Sequence, residues 1–410
     1  MTRIGRGDFS LFGWSLTGTL LLAFWLRSGL LLAVGLLLGA VGLASTVWGR
    51  YALSRITYHR QFARHRVFVG ETVELTLALT NRKVLPVTYL RVEDAIPEEL
   101  EIHSRRLQFY RVGKGLLQML YSLAWYQKVI RHYQVTPLRR GYFVLGPASL
   151  YGGDPFGYVM NTAELPETEA LIVYPKIIGL QSLGMPVRRP FGDLKSSNRL
   201  FEDPLRFAGV REYQPGDPLN RIHWKASAVA GQWQVKLLDP SSNPGICLFL
   251  NTWAFDRAWQ GVDGPAFEAA CTVAASIANW AQENGAPAGI FANGLTRGWG
   301  LNLTLPPARG PQVLTAILEG LARLDMPSRT TFSDLLLENL PRLGYGTSVV
   351  VIATRQVSED LAGALLSANQ SGRPVTLVLV GGNGTALPPL PGVRVYRVSG
   401  EEALHAAVLA

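Results

Sequence analysis

The sequence predicts a multi-domain membrane protein: an N-terminal transmembrane helical hairpin, an immunoglobulin-like β-sandwich, and a doubly wound α/β domain. Three observations carry that reading. Two long uncharged apolar runs open the chain, period-two alternation of apolar residues follows, and strands alternating with helical patterns fill the C-terminal part. The expected boundaries are 1–52 for the hairpin, 53–176 for the sandwich, 177–244 for a linker, and 245–410 for the α/β domain.

Phe9 to Leu26 and Gly29 to Trp48 carry no charged residue. A hydrocarbon core of about 30 Å is spanned by about 20 apolar residues in a helix, so each run is long enough to cross. Arg27-Ser28 leaves room only for a tight turn, which makes the two helices antiparallel. Trp14, Trp25 and Trp48 are candidate interfacial anchors. Arg3 and Arg6 precede the first run, and Arg50, Arg55, Arg60, Arg64 and Arg66 follow the second, against one Arg in the turn. The positive-inside rule therefore predicts an inner (cell) membrane protein, multi-pass with two helices, whose N- and C-termini are both cytoplasmic. A cleaved signal peptide fits poorly, because a second full-length run follows with no small-residue cleavage pattern between the two. A buried hairpin in a globular core is the other alternative.

From about residue 56 the pattern becomes that of strands. Val73, Leu75, Leu77 and Leu79 share one face, Asn81-Arg82-Lys83 reads as a turn, and Val87 to Val92 returns as a second strand. Tyr142 to Gly146 and Ala170 to Tyr174 supply later strands of the sandwich. Between Glu101 and Asp154 there is no acid, while Arg105, Arg106, Arg111, Lys114, Lys128, Arg131, Arg139 and Arg140 are interleaved with Tyr110, Tyr121, Trp125, Tyr126 and Tyr133. Basic residues with aromatics suit single-stranded nucleic acid, anionic inner-leaflet lipid, or a solvated face over an aromatic core. Lipid is preferred to nucleic acid, since the hairpin already tethers this region to a bilayer. The whole-chain charge of +9 is compatible with all three.

The α/β domain is read as strands at Ile246–Leu250, Ala288–Ala292, Ser348–Ala353, Val375–Val380 and Val393–Val398. Helices fall at Ala266–Asn284, Gln312–Leu324, Thr331–Leu343 and Ser358–Gln370, with a last one from Glu401. That alternation implies a mainly parallel sheet. Cys247 and Cys271 lie inside apolar segments and form no metal or disulfide motif, and the six histidines have no ligand spacing.

The most distinctive stretch is Gly209 to Ala228, GVREYQPGDPLNRIHWKASA. Pro215-Gly216 favours a tight turn. Asp217 is expected as a helix N-cap with Pro218 at the first helical position. Arg221, Trp224 and Lys225 then share one helical face, with Arg211, Glu212 and Tyr213 just upstream. Asp217 is expected to pair with Arg211 or Arg221.

These residues resemble the hallmark of the domain-of-unknown-function 58 family, R-E-Y-x-P-G-D-x-x-x-x-I-x-W-K-x-S-A. Arg139-Arg140-Gly141 and Asp154-Pro155-Phe156-Gly157 occur in the expected order before it. The resemblance implies that the α/β domain is von Willebrand factor A-like, and that the chain works with a MoxR-type AAA+ ATPase. It brings no catalytic residues. The matching part of a von Willebrand factor A module carries D-x-S-x-S for a divalent cation, but here the strand ends in Asn251-Thr252-Trp253-Ala254-Phe255. With the anionic oxygens replaced at Asn251, Trp253 and Phe255, no metal and no other cofactor is expected. The prediction is a non-enzymatic, membrane-anchored adaptor facing the cytoplasm, its signature serving either as partner dock or as structural junction. The alternative is an enzyme of cell-envelope or macromolecule processing, with Asp239, Asp256 and Asp263 at the carboxyl edge of the sheet.

Overall fold

The computed structural model of the chain describes residues 3–5, 9–103, 109–111, 115–186, 190–191, 202–240, 245–253, 264–327, 330–344, 346–354, 357–381 and 387–399. It divides into two compact units, Met1–Tyr174 and Pro175–Ala410.

The first unit starts with β1 (Arg3–Gly5), α1 (Phe9–Leu26) and α2 (Gly29–Ala52). The turn between the helices places Arg27 at φ +48°, and Ser28 caps α2 by accepting from the Leu31 N–H. Small residues let the helices approach: a Cβ on Gly35 would meet Leu20 at 2.6 Å. Among the described residues many large side chains along them are open, including Trp14, Phe24, Trp25, Leu30, Leu36, Leu37 and Leu43. By length and composition α2 is apolar enough to cross a membrane.

Strands β2 (Ile56–Phe62), β3 (Arg66–Phe68), β4 (Val73–Asn81), β5 (Val87–Ala95), β6 (Leu100–His103), β7 (Phe109–Arg111) and β8 (Leu116–Leu123) follow. The unit is completed by β9 (Lys128–Pro137), β10 (Gly141–Leu145), β11 (Ala148–Gly153), β12 (Met160–Leu165) and β13 (Glu169–Tyr174). They form sheets ordered β1-β12-β11-β5-β8-β7, β2-β4-β9-β6 and β10-β13-β3. The predicted alternation holds in β4, where Val73, Leu75, Leu77 and Leu79 are all buried. They join Leu90, Val92, Met119, Leu145 and Leu171 in one core between the sheets. Each fully buried side chain of this size contributes about 1.5–3 kcal/mol of transfer free energy.

The second unit contains β14 (Glu202–Glu212), α3 (Trp224–Ala230), β15 (Gln234–Pro240), β16 (Ile246–Leu250), α4 (Gly264–Glu283), β17 (Ala288–Thr296) and β18 (Asn302–Ala308). After these come α5 (Pro311–Arg323), β19 (Leu324–Pro327), α6 (Phe332–Asn339), β20 (Ser348–Thr354), α7 (Glu359–Gln370), β21 (Val375–Val380) and β22 (Arg394–Val398). The main sheet runs β18-β17-β16-β20-β21-β22, with β19 also on β17. β16, β17, β20, β21 and β22 are parallel, and β18 and β19 are antiparallel to β17. β16, β20 and β21 are buried at every position, which explains why they read as unbroken apolar runs. Helix α4 packs through Ala269, Ala270, Ala274, Ala278 and Ala281, and Gly285 ends it at φ +65° as the Ala286 N–H returns to the Ala281 carbonyl.

The structure departs from the sequence reading in three places. The helix expected to Leu343 stops at Asn339, where Pro341 turns the chain into a 3₁₀ turn over Leu340–Arg342. Strands β18 and β19 had no reading in the sequence. The stretch expected as a linker holds the β14–β15 hairpin. The helix expected from Glu401 lies outside the described residues.

Candidate functional site

The signature is the excursion between β14 and β15. β14 ends at Arg211-Glu212, and the Tyr213 N–H closes the pair by donating to the Trp233 carbonyl at 2.9 Å. Gly216 at φ +108° makes the turn, a conformation that a side chain would strain. Arg211 grips Asp217 with both nitrogens, at 2.7 and 2.6 Å, while Asp217 also accepts from the Gln214 N–H at 2.8 Å. The bonds from Arg211 and Gln214 hold the Asp217 carboxyl below its ordinary range.

Asp217 is therefore a turn clamp and not the expected helix N-cap. Pro218 opens only a 3₁₀ turn, Leu219–Arg221, with no side-chain cap. Ile222 then bridges to Val235, which breaks the helix before it begins. Helix α3 starts at Trp224 and is capped by His223, whose Nδ1 accepts from the Ala226 N–H at 3.1 Å. Arg221 consequently does not share a helix with Trp224 and Lys225. The capping role of His223 was not read, because the helix was expected to begin at Pro218 and His223 then fell inside it. Ser227 Oγ accepts from the Gln234 N–H at 2.8 Å, and buried Ile222 and Val235 fill the centre. Gln232 donates to Glu212 at 2.6 Å, and Tyr213 meets Trp233 edge to face at 5.4 Å.

The braces leave large apolar side chains outside. Leu219 is 64% exposed, Trp224 69%, Val229 86% and Trp233 54%. Beside them an open groove of about 500 Å³ is lined by Val210, His223, Lys225, Ala226, Val229, Ala230 and Gln234. Lys225 and Arg221 are both exposed. Among the described residues no carboxylate lines this groove.

Just past the carboxyl end of β16, Asn251 meets Asn293 of β17 in a network of amides and hydroxyls. Asn251 Oδ1 accepts from the Trp253 N–H at 3.0 Å and from Asn293 Nδ2 at 3.2 Å. Asn293 Oδ1 accepts from the Thr252 N–H at 2.8 Å, and Thr354 donates to the Trp253 carbonyl at 3.1 Å. These neutral groups satisfy one another and offer a hard cation no anionic oxygen. Asn293 was not singled out from the sequence. Phe255, Asp256 and Asp263 lie outside the described residues, as does the side chain of Asp239.

The basic and aromatic segment sorts into different environments. Tyr133 is core and Tyr121 packs against it, Arg140 is buried, and Arg139 pairs with Glu99 at 2.5 Å. Trp125 and Tyr126 stand out at a turn. Arg105, Arg106 and Lys114 lie outside the described residues, as do the side chains of Tyr110 and Arg111.

Residues 209–407 match the family described as protein of unknown function DUF58. The chain carries a DUF58 domain. It is similar to the uncharacterized protein YeaD of Bacillus subtilis (strain 168), 25% identical over 350 residues that cover 85% of this chain and 81% of that protein. Solved structures align with parts of the DUF58 chain at low similarity. They include a cohesin module from a Clostridium perfringens family 33 glycoside hydrolase, 18% identical over 29% of this chain and 95% of its own, TM-score 0.22. A CARDB domain from Pyrococcus furiosus is 18% identical over 29% of this chain and 91% of its own, TM-score 0.19. Scores this low carry no argument about function.

Proposed function

We propose that this DUF58 protein is a membrane-anchored, non-enzymatic adaptor whose signature hairpin receives a cytoplasmic partner, a MoxR-type AAA+ ATPase. The observation behind the proposal is the division of labour in the hairpin. Its polar residues are occupied in bracing one another, while Leu219, Trp224 and Val229 face solvent beside Lys225. Exposed tryptophan in a rigid frame is typical of interface anchors. The family resemblance names the ATPase.

The α/β unit is a degenerate von Willebrand factor A-like domain in this reading. The sheet order, with one antiparallel strand beyond β17, supports that assignment. The Asn251–Asn293 amide network stands where the module would hold its cation. The groove beside α3 supports docking over catalysis, because among the described residues its lining is apolar apart from His223, Lys225 and Gln234, and His223 is engaged in capping. Helices α1 and α2 cross the membrane as a hairpin with both ends cytoplasmic.

The test is purification of the full chain from its native membrane in mild detergent, comparing wild type with Trp224→Ala and Asp217→Ala. An AAA+ ATPase recovered with wild type and lost with folded Trp224→Ala is the expected result. Recovery of no ATPase with wild type would overturn the partnership. Equal recovery with all three would move the dock away from the signature.

A further inference from the structure

Where α2 joins the sandwich, three loops gather around its last turn. Lys83, in the loop between β4 and β5, donates to the Ala52 carbonyl at 2.6 Å and the Ser54 carbonyl at 2.8 Å. Trp48 Nε1 donates to the Pro86 carbonyl of the same loop at 3.1 Å. The turn between β8 and β9 joins it, since the Tyr126 N–H donates to the Lys83 carbonyl at 3.1 Å. The β11–β12 loop closes the other side: Asn161 donates to the Gly49 carbonyl, and Gly49 is in contact with Val159.

Each loop displays large aliphatic or aromatic side chains to solvent. Val84 is 66% exposed, Trp125 69%, Tyr126 66%, Phe156 54% and Tyr158 42%. Tyr126 sits at φ +48°, a left-handed conformation that non-glycine residues seldom adopt. The Asp154-Pro-Phe-Gly157 motif is a turn in which buried Asp154 accepts from the Phe156 and Val159 N–H groups at 3.0 and 2.6 Å, so its one carboxylate faces inward. Arg50, Arg55, Arg82 and Lys128 are exposed around the same helix end.

We infer that these loops form a collar that inserts into the headgroup layer of an anionic bilayer around the exit of α2. The inference rests on the reading of α2 as a membrane span. A span places the headgroup layer about one turn beyond its last apolar residues, at the level of Trp48 and the loops bonded to it. Tyrosine and tryptophan partition to that layer, and exposed Arg and Lys beside them meet lipid phosphate. The collar narrows the basic and aromatic segment of the sequence to Trp125, Tyr126 and Lys128 and adds the Asp154–Gly157 turn, which that segment did not include.

The test uses the full chain in vesicles containing anionic phospholipid, with single cysteines carrying an environment-sensitive fluorophore. Native Cys247 and Cys271 are buried and leave the introduced thiol as the reactive one. Labels go on Trp125→Cys and Phe156→Cys, on Leu37→Cys within α2, and on Leu138→Cys, which follows the other end of β9 and is 59% exposed. Lipids brominated near the headgroup should remove most of the fluorescence at Trp125→Cys and Phe156→Cys, and deeply brominated lipids should quench Leu37→Cys, with neither quenching Leu138→Cys. Strong quenching at Leu37→Cys, with Trp125→Cys and Phe156→Cys no more quenched than Leu138→Cys, would overturn the collar and leave the span standing. Absence of quenching at Leu37→Cys would overturn the span and the collar together.

Discussion

Two arginine–aspartate pairs, one in each unit, use the same chemistry in opposite surroundings. Arg60 and Asp94 meet inside the sandwich with side-chain exposures of 3% and 0%. Tyr58 donates to the same carboxylate at 2.8 Å, and Arg60 also reaches the Glu167 carbonyl. Arg211 and Asp217 meet in the signature with exposures of 37% and 16%. Burial pushes the Asp94 carboxyl up despite the guanidinium beside it, whereas the bonds from Arg211 and Gln214 hold the Asp217 carboxyl down. The inner pair is committed to the fold of the sandwich. The outer pair braces a loop that is open to solvent.

Breaking the inner pair should have the largest effect. Asp94→Ala leaves Arg60 buried without its counter-charge and should destabilise the sandwich by about 3–5 kcal/mol, read as a fall in Tm in detergent. The corresponding change outside, Asp217→Ala, should leave the global Tm nearly unchanged and accelerate amide exchange only around Gln214–Asp217. Equal falls in Tm for the two variants would dissolve the distinction.

The pairs should also answer acid in opposite directions. For Asp217 the folded state holds the carboxyl below its unfolded value, so its bracing is present above the ordinary carboxylate range near pH 4 and lost as pH falls below it. For Asp94 the folded value is raised, so protonation is easier in the fold, and its contribution declines as pH rises through that range. Amide exchange between pH 3 and 6 should loosen the signature first on acidification.

A smaller effect belongs to Lys83, whose ammonium burial pushes down to about 8. Between that value and the unfolded value near 10.4 the unfolded chain binds the extra proton, so stability should rise with pH across this window. Wild type should gain on Lys83→Met from pH 8 to 10 in a thermal melt. The smallest expected signal is cation binding at the amide network: calorimetric titration of Mg²⁺ into wild type and Asn251→Ala should show no micromolar site in either.

Much of the fold was legible because burial leaves periodic traces. The alternation of Val73, Leu75, Leu77 and Leu79, the unbroken Ser348–Ala353 run and the helical stretch Ser358–Gln370 all led to the elements observed. β18 was not legible because it is an edge strand with exposed alternate positions and two prolines, which lack the N–H of a regular ladder. The signature failed at one point for a tertiary reason. Asp217 followed by Pro218 has the local form of a cap, yet Arg211 from the neighbouring strand captures the carboxylate and the Ile222–Val235 bridge delays the helix to Trp224. An Arg–Asp pairing was legible only as a choice between Arg211 and Arg221, and the strand geometry selects Arg211. Exposure of Leu219 and Val229 was not, since nothing in a sequence tells an anchor from a core residue.

The hairpin topology is tested most directly by thiol accessibility in intact cells. Both ends of the helix pair are fastened to one sheet, β1 through Arg3–Gly5 on β12 and α2 through Gly49 against Val159. Ser28→Cys, in the turn, should therefore react with a membrane-impermeant maleimide added outside, while Leu138→Cys, exposed at the far end of β9, should react only after the membrane is broken. Protection of Ser28→Cys together with outside labelling of Leu138→Cys would contradict the orientation, and equal labelling of both from one side would contradict a double crossing.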